Sequence, residues 1–426
     1  MLLVFLGSGM HIMFALLAVG TIAFYVFLPR TVTGDISRQA WNGVNSFSLT
    51  AVSLYIFMGE LILRGGISDV VYKSLDKLLG KLPGALLHSV IVFCALFAAV
   101  SGSSVATAAT IGTVAIPSFK QRQYDVKMMF GSMAAGGALG ILIPPSVIMI
   151  IYKALAGVSI ARCFFGGMIP GAILSLLFMT YIIIRILISP SLAPKFEEKV
   201  TARDRLMALV GVGPIVILAG VILGGIYLGV WTPTEAAAIG CLAILVMIAI
   251  RKKMSLPVLI ESLRGTLYTS SMIFMVLAGA AIVSYIISYL RIPILLIEFV
   301  TNLGLSRYSV LAIVCFSYLL MGCFIEGICM VIITVPIVYP VMVSLGFDPV
   351  WFAIILTICI ELGLVTPPVG INLYVLKGVD RDSDFADIVL GVLPYVGIMI
   401  FMIVILTVFP RLVTWLPDMM AKAGGF

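Results

Sequence analysis

The sequence predicts an all-α integral membrane protein built from two repeats of opposite topology, and three observations carry the prediction. Of the 426 residues, 62% are apolar and 11% charged, against roughly a quarter charged in a soluble domain. Seven apolar stretches are long enough to cross a bilayer without interruption, and a proline-containing motif recurs at an offset of 223 residues. The composition excludes a soluble enzyme, because no long polar stretch exists to form a water-exposed domain. The formal charge of +7 comes from Lys and Arg in short runs between apolar segments, which read as topology signals and not as a nucleic-acid face. Seven cysteines without a CxxC pair predict neither disulfides nor zinc. His11 and His88 stand alone at the edges of apolar runs, where a packed structural role is expected.

A helix needs about 20 mainly apolar residues to span the hydrocarbon core. Residues 2 to 28, 46 to 63, 164 to 189, 206 to 230, 234 to 250, 266 to 290 and 387 to 410 qualify. The first lacks the basic start and cleavage site of a signal peptide, so it is expected to remain as a membrane helix. Residues 128 to 152 and 350 to 376 are long enough but carry Pro144 and Pro145, and Pro367 and Pro368, at their centres. Both should be broken helices, since proline removes a backbone donor and clashes with the preceding turn. Residues 83 to 117 and 308 to 340 have small or polar centres, Ser101 to Ser104 and Gly322 to Gly327, and read as helical hairpins. Residues 67 to 82 place Ile67, Val70, Val71, Leu75, Leu78, Leu79 and Leu82 on one face, the pattern of an interfacial amphipathic helix.

Lys and Arg accumulate in cytoplasmic loops, which puts Arg251, Lys252 and Lys253 inside together with Lys195, Lys199, Arg203 and Arg205. Counting outward from there places Lys73, Lys77, Lys81, Lys120, Arg122 and Lys127 inside, the N-terminus inside and the C-terminus outside. Arg30, Arg38, Arg291, Arg307 and Arg411 are then external, against the rule. The first hairpin begins and ends inside and the second begins and ends outside; parity leaves re-entrant loops and double crossings both open. Trp41, Trp231, Trp351 and Trp415 fall near span ends, as in an aromatic belt.

Leu139 to Pro145 (LGILIPP) matches Leu362 to Pro368 (LGLVTPP), and the same offset pairs Pro117 with Pro340 and Asp125 with Asp348. One more residue pairs Pro170 with Pro394. The chain therefore divides into a first repeat over 1–205, a connecting span over 206–233 and a second repeat over 234–426. Inverted repeats with discontinuous helices mark secondary transporters, whose sites lie near the midplane where unwound backbone meets ions or substrate. Helix N-termini favour anions there, and exposed carbonyls favour hard cations such as sodium.

SGSSVATAA at 101 to 109, LGILIPPS at 139 to 146, GMIPG at 167 to 171 and LGLVTPPVGINLY at 362 to 374 resemble the large membrane subunit of the TRAP (tripartite ATP-independent periplasmic) transporters. FMGEL at 57 to 61 and GVWTPTEAAA at 229 to 238 extend the resemblance over nearly the whole chain. It implies a sodium-coupled importer, multi-pass in a bacterial inner membrane, whose transport domain moves like an elevator against a scaffold. It also implies re-entrant hairpins, a separate small membrane subunit and a soluble periplasmic binding protein that delivers a carboxylate. The sialic-acid branch is the resemblance drawn, with C4-dicarboxylates or keto acids as the alternative.

By the resemblance, two or more sodium ions are expected. One site would lie between Ser101, Ser103 and Ser104 and the Gly140 to Pro144 break. A second would use Gly322, Glu326 and Gly327 with Gly363, Val365 and Thr366. Small residues that merely permit close helix packing are the plainer account of the serine tip. Ser103, Ser104, Pro145, Glu326, Pro368, Asn372 and Tyr374 are the expected substrate contacts. Glu326 and Glu361 lie at membrane depth, where an ionised carboxylate is expensive; sodium coordination, proton coupling or a hydrogen bond would each explain them. Ser103 occupies the place of Glu326 in the first repeat, so the two sites need not be equivalent. Arg64 and Arg185 near helix ends read as snorkelling cations, and Glu60 and Glu235 as caps or contacts between domains. A passive channel is the competing class, separable by flux without a sodium gradient. An intramembrane hydrolase would need a nucleophile and base, and His88 beside Ser89 is far from the serine tip, so no enzyme activity is expected.

Overall fold

The computed structural model describes residues 1–28, 34–194 and 200–422; Arg30, Lys195 and Lys199 lie outside the described residues. The stretch expected as one span over 2 to 28 is instead two helices, α1 (Leu2–Gly7) and α2 (Ile12–Phe27). Gly9 between them has φ of 82°, a left-handed value that turns the chain and that glycine adopts at little cost. There follow α3 (Ile36–Val44), α4 (Phe47–Arg64) and α5 (Ile67–Leu79). The α5 helix buries Ile67, Val71 and Leu75 and is the amphipathic element expected. The first hairpin is α6 (Ala85–Ser101) and α7 (Ser104–Gln121), and the first broken helix is α8 (Val126–Ala138) and α9 (Val147–Ala156). Three long spans, α10 (Ile160–Ile188), α11 (Ala202–Tyr227) and α12 (Pro233–Ile250), lead to α13 (Leu256–Tyr289), which is 34 residues long.

The second half mirrors the first. Helix α14 (Ile292–Asn302) precedes the hairpin of α15 (Arg307–Gly322) and α16 (Gly327–Ser344). The broken helix of α17 (Pro349–Val365) and α18 (Ile371–Val379) follows, then the span α19 (Phe385–Val408) and the terminal α20 (Arg411–Lys422). Both hairpins run beyond the expected ends, because Pro117, Pro336 and Pro340 sit inside their helices and do not stop them. The helices α3, α14 and α20 carry no span-length apolar run and were not separated from loops by hydropathy. Among the described residues, seven helices are long and apolar enough to cross a membrane. Six coincide with stretches chosen from sequence, and the seventh is α16.

Tip depth decides the question that parity left open. The Val147 N–H donates to the Gly102 carbonyl at 3.3 Å, so the first tip meets the middle of the broken helix. Helix α9 runs for 10 residues starting at that contact, about 15 Å at helical rise. The hairpin thus turns back inside the span and is re-entrant. The second tip meets the α17 to α18 break in the same way, through Gly322 against Gly363.

Ion pairs establish the inversion. Lys120 at the end of α7 pairs with Asp380 at the end of α18, and Lys127 at the start of α8 with Asp387 at the start of α19. The Tyr152 hydroxyl near the end of α9 donates to the Pro349 carbonyl at the start of α17, at 3.0 Å. The two broken helices are therefore antiparallel, and the hairpins enter from opposite ends. Arg122–Asp76, Lys77–Asp204 and Arg64–Glu261 join helix termini at the end where the first hairpin is based. Burial favours the neutral acid at Asp380, but hydrogen bonds from Lys120 and Ser383 outweigh it and hold the carboxyl below its usual range.

Packing separates two units. Helices α2, α3 and α4 pack on α13, and α12 packs on α4. Helices α10 and α19 join the hairpins and broken helices instead: Gly131 of α8 lies against the Gly391 carbonyl of α19, and Gly167 of α10 against the Leu142 carbonyl. Trp351 departs from the aromatic-belt reading, being 2% exposed with its indole N–H donated to the Leu406 carbonyl. Glu235 caps α12 with Thr232, and Glu60 pairs with Arg64.

Gly322 and Gly363 pack backbone on backbone, and a Cβ on either would stand 2.5 Å from the other's Cα. Backbone on both sides cannot yield as a side-chain end can, so Gly363→Ala should lower stability by about 1–3 kcal/mol. Thermal unfolding of the purified protein checks this, and Gly378→Ala, which meets nothing within 4 Å, serves as the matched control.

Candidate functional site at the hairpin tips

Each hairpin tip ends in a cap. Ser103 is the N-cap of α7, its hydroxyl accepting from Ala106 N–H at 3.3 Å. Glu326 is the N-cap of α16, its Oε2 accepting from Ile328 N–H at 2.9 Å and Cys329 N–H at 3.3 Å. The 223-residue offset thus relates two caps of different charge. The carboxylate of Glu326 faces the positive end of a helix, which explains an acidic residue at this depth without a lysine or arginine beside it.

The first tip is pressed onto the first break. A Cβ on Gly102 would lie 2.7 Å from the Pro145 carbonyl oxygen, and one on Gly140 would lie 2.7 Å from the Ser103 carbonyl oxygen. Thr107 Oγ1 donates to the Ser103 carbonyl at 2.6 Å, and the Ser101 and Thr107 hydroxyls are 3.3 Å apart. Pro144 and Pro145 complete the break, joined by a cis bond as Pro367 and Pro368 are. At the second tip the Cys323 thiol lies 3.4 Å from the Pro367 carbonyl, and Thr366 Oγ1 donates to Leu362, closing the last turn of α17. Val365 is buried, and Gly327 packs against Ile360.

The two tips face one cavity of about 40 Å³. Ser103 and Ser104 line it from the first hairpin, Glu326 and Ile328 from the second, and Thr269 and Ile273 from α13. Hydroxyl, carboxylate and helix N-termini thus converge against a helix of the other unit, around a space on the scale of a water molecule or an ion. Gly322, Gly363 and Thr366 do not line it and belong to the separate contact of the second tip, and Pro368, which is exposed, does not line it either.

Behind the cavity, Ser104 Oγ lies 2.8 Å from Glu361 Oε2, 3.1 Å from the Gly137 carbonyl oxygen and 2.7 Å from Asn372 Nδ2, whose N–H it accepts. Asn372 is fully buried here, tying the second broken helix to the first hairpin. Tyr374 lies apart, 51% exposed and packed on Phe385 at 4.8 Å between ring centroids. Sequence reasoning missed Thr269 and Ile273, since nothing in an ordinary apolar span marks the face that meets a tip. It also missed the link between Ser104 and Asn372, which spans 268 residues and leaves no local signal.

Comparison with known proteins agrees with this architecture. The solved structure of the Alcanivorax borkumensis YdaH transporter superposes with a TM-score of 0.67 over 95% of this chain and 97% of that one, at 13% identity, which shows a shared fold. The C4-dicarboxylate TRAP transporter large permease protein DctM of Vibrio cholerae is 31% identical over 95% of this chain and 93% of its own length. The sialic acid TRAP transporter large permease protein SiaM of the same organism is 29% identical over 98% and 97%. The family described as "Tripartite ATP-independent periplasmic transporter, DctM component" matches residues 1–412. This chain therefore belongs to that family and is the large permease, a multi-pass membrane component, of a tripartite secondary transporter.

Proposed function

We propose that the chain imports a small carboxylate across a bacterial inner membrane, driven by sodium. In this reading a periplasmic binding protein delivers the substrate, a small membrane subunit braces the scaffold, and the N-terminus is cytoplasmic with the C-terminus periplasmic. The observation that carries the reading is the meeting of both hairpin tips at one cavity against α13. Tips and broken helices form one packed unit, and α13 belongs to the other, so sliding the first unit along α13 would carry the cavity across the membrane as an elevator. A crevice of about 550 Å³ between α3 and α13 on one side and α9 and α16 on the other, lined by Asn42, Lys153 and Ser284, supports such a boundary.

Freed backbone at the two breaks and the tip hydroxyls supply oxygen donors, which suit sodium. Ser101, Ser103, Ser104 and the Gly140 to Pro144 segment would hold one ion; Gly322 to Gly327 with Gly363, Val365 and Thr366 would hold another. The substrate carboxylate would meet the Ser103 and Ser104 end of α7, where helix N–H groups favour an anion. Sialic acid follows from the resemblance of the motifs, and a C4-dicarboxylate is supported by the slightly higher identity to DctM.

Proteoliposomes holding the chain and its small subunit, with loaded binding protein outside and sodium directed inward, separate these readings. Uptake of labelled sialic acid that needs both sodium and binding protein supports the first; uptake of succinate alone under the same conditions moves the assignment to dicarboxylates. Transport of either one at equal rate without a sodium gradient would leave a passive channel. In the same assay, Ser103→Ala combined with Thr366→Ala should weaken the sodium dependence about tenfold, the equivalent of about 1.4 kcal/mol. An unchanged sodium dependence would remove both tips from the ion sites.

A further inference from the structure

We propose that Glu361, Asn372, Ser104 and the Gly137 carbonyl form a further sodium site, between the two repeats and sharing Ser104 with the first tip. The proposal rests on the sodium-coupled reading above. Its starting point is a shortage of hydrogen-bond donors. Ser104 has one hydroxyl hydrogen, yet its oxygen lies against two acceptors, the Gly137 carbonyl and Glu361 Oε2, at 3.1 and 2.8 Å. Only one of them receives that hydrogen. Glu361 Oε1 and Asn372 Oδ1 are both buried without a hydrogen-bond partner, in side chains 1% and 0% exposed. The two atoms of the cluster left without any partner are both oxygens.

Glu361 has less compensation than the acids that cap a helix or meet a cation. Glu326 caps α16 with two backbone N–H groups, and the buried Asp380 pairs with Lys120. Glu361 lies inside α17, twelve positions after its first residue and four before its last, where the Ile141 backbone N–H faces its carboxyl, and among the described residues it forms no ion pair. A buried carboxylate with no cation beside it is costly. One carboxylate with amide, hydroxyl and carbonyl oxygens is the donor set of a hard cation, and no group of three His, Cys, Asp or Glu among the described residues offers a transition-metal site.

The site has no symmetry mate. Ala138 and Met149 stand 223 residues before Glu361 and Asn372, so the first repeat cannot build it. Its side chains come from α7, α17 and α18, and Ser104 also lines the 40 Å³ cavity. A sodium ion here would fasten the first hairpin to the second broken helix and fix the Ser104 face of the cavity, linking ion occupancy to the shape the substrate meets.

The test uses the full chain with its small subunit in nanodiscs, without substrate or binding protein. Sodium binding is followed by calorimetry and by thermal stabilisation, with choline at equal ionic strength as the control. Glu361→Gln should bind one sodium fewer per chain or bind sodium at least about tenfold more weakly, and Asn372→Val, which keeps the carboxyl, should weaken it in the same direction. Wild-type affinity and stoichiometry in both variants would overturn the site while leaving sodium coupling intact. If Glu361→Gln does not fold, Asn372→Val decides alone. Absence of sodium binding by the wild-type protein would overturn the site and the sodium-coupled reading together.

Discussion

Hydrocarbon offers no hydrogen bonds, so a helix broken within a membrane must find partners for its freed backbone inside the protein. Most of this architecture follows from that constraint. Two helices are broken by paired prolines, and each break is covered by the tip of a hairpin that turns back at the same depth. The covering is close enough to require glycine where the chains cross, at Gly102 and Gly140 in one repeat and at Gly322 and Gly363 in the other. A larger side chain at these points would lift the tip and expose the break.

The same arrangement creates the chemistry. A helix end brought to the middle of a membrane is a source of positive potential without a charged side chain, and the N-termini of α7 and α16 are both placed there by the tips. The second repeat adds a carboxylate to its cap and the first does not. Two halves with one backbone plan therefore present unlike surfaces to the shared cavity, and the asymmetry deepens at Glu361 and Asn372, where the first repeat has Ala138 and Met149. Backbone symmetry supplies two orientations of one scaffold, and side-chain asymmetry makes the ligand environment specific.

Much of this was legible in the sequence because its signals are local or periodic. Span lengths, the Pro-Pro breaks and the amphipathic α5 are short-range patterns, and the 223-residue offset correctly aligned Ser103 with Glu326 and Asp125 with Asp348 as caps. The single span over 2 to 28 failed because hydropathy does not register the turn at Gly9. The short helices α3, α14 and α20 were missed because they have too few apolar residues to read as spans. The re-entrant depth of the hairpins was not legible, since charge parity counts ends and cannot see a tip. Nor were the contacts of Ser104 with Glu361 and Asn372, which depend on how two repeats interlock.

Opposed insertion of the two repeats is the claim on which the cavity, the antiparallel broken helices and the elevator reading all depend. Gln123 and Gly346 occupy equivalent turns after the two hairpins, both with positive φ. Single cysteines at these positions, in a background without the native cysteines, can be labelled in intact cells with a membrane-impermeant maleimide and again after permeabilisation. Inverted repeats predict that one position reacts from outside and the other only after permeabilisation. Reaction of both from the same side would contradict the inversion and the account built on it.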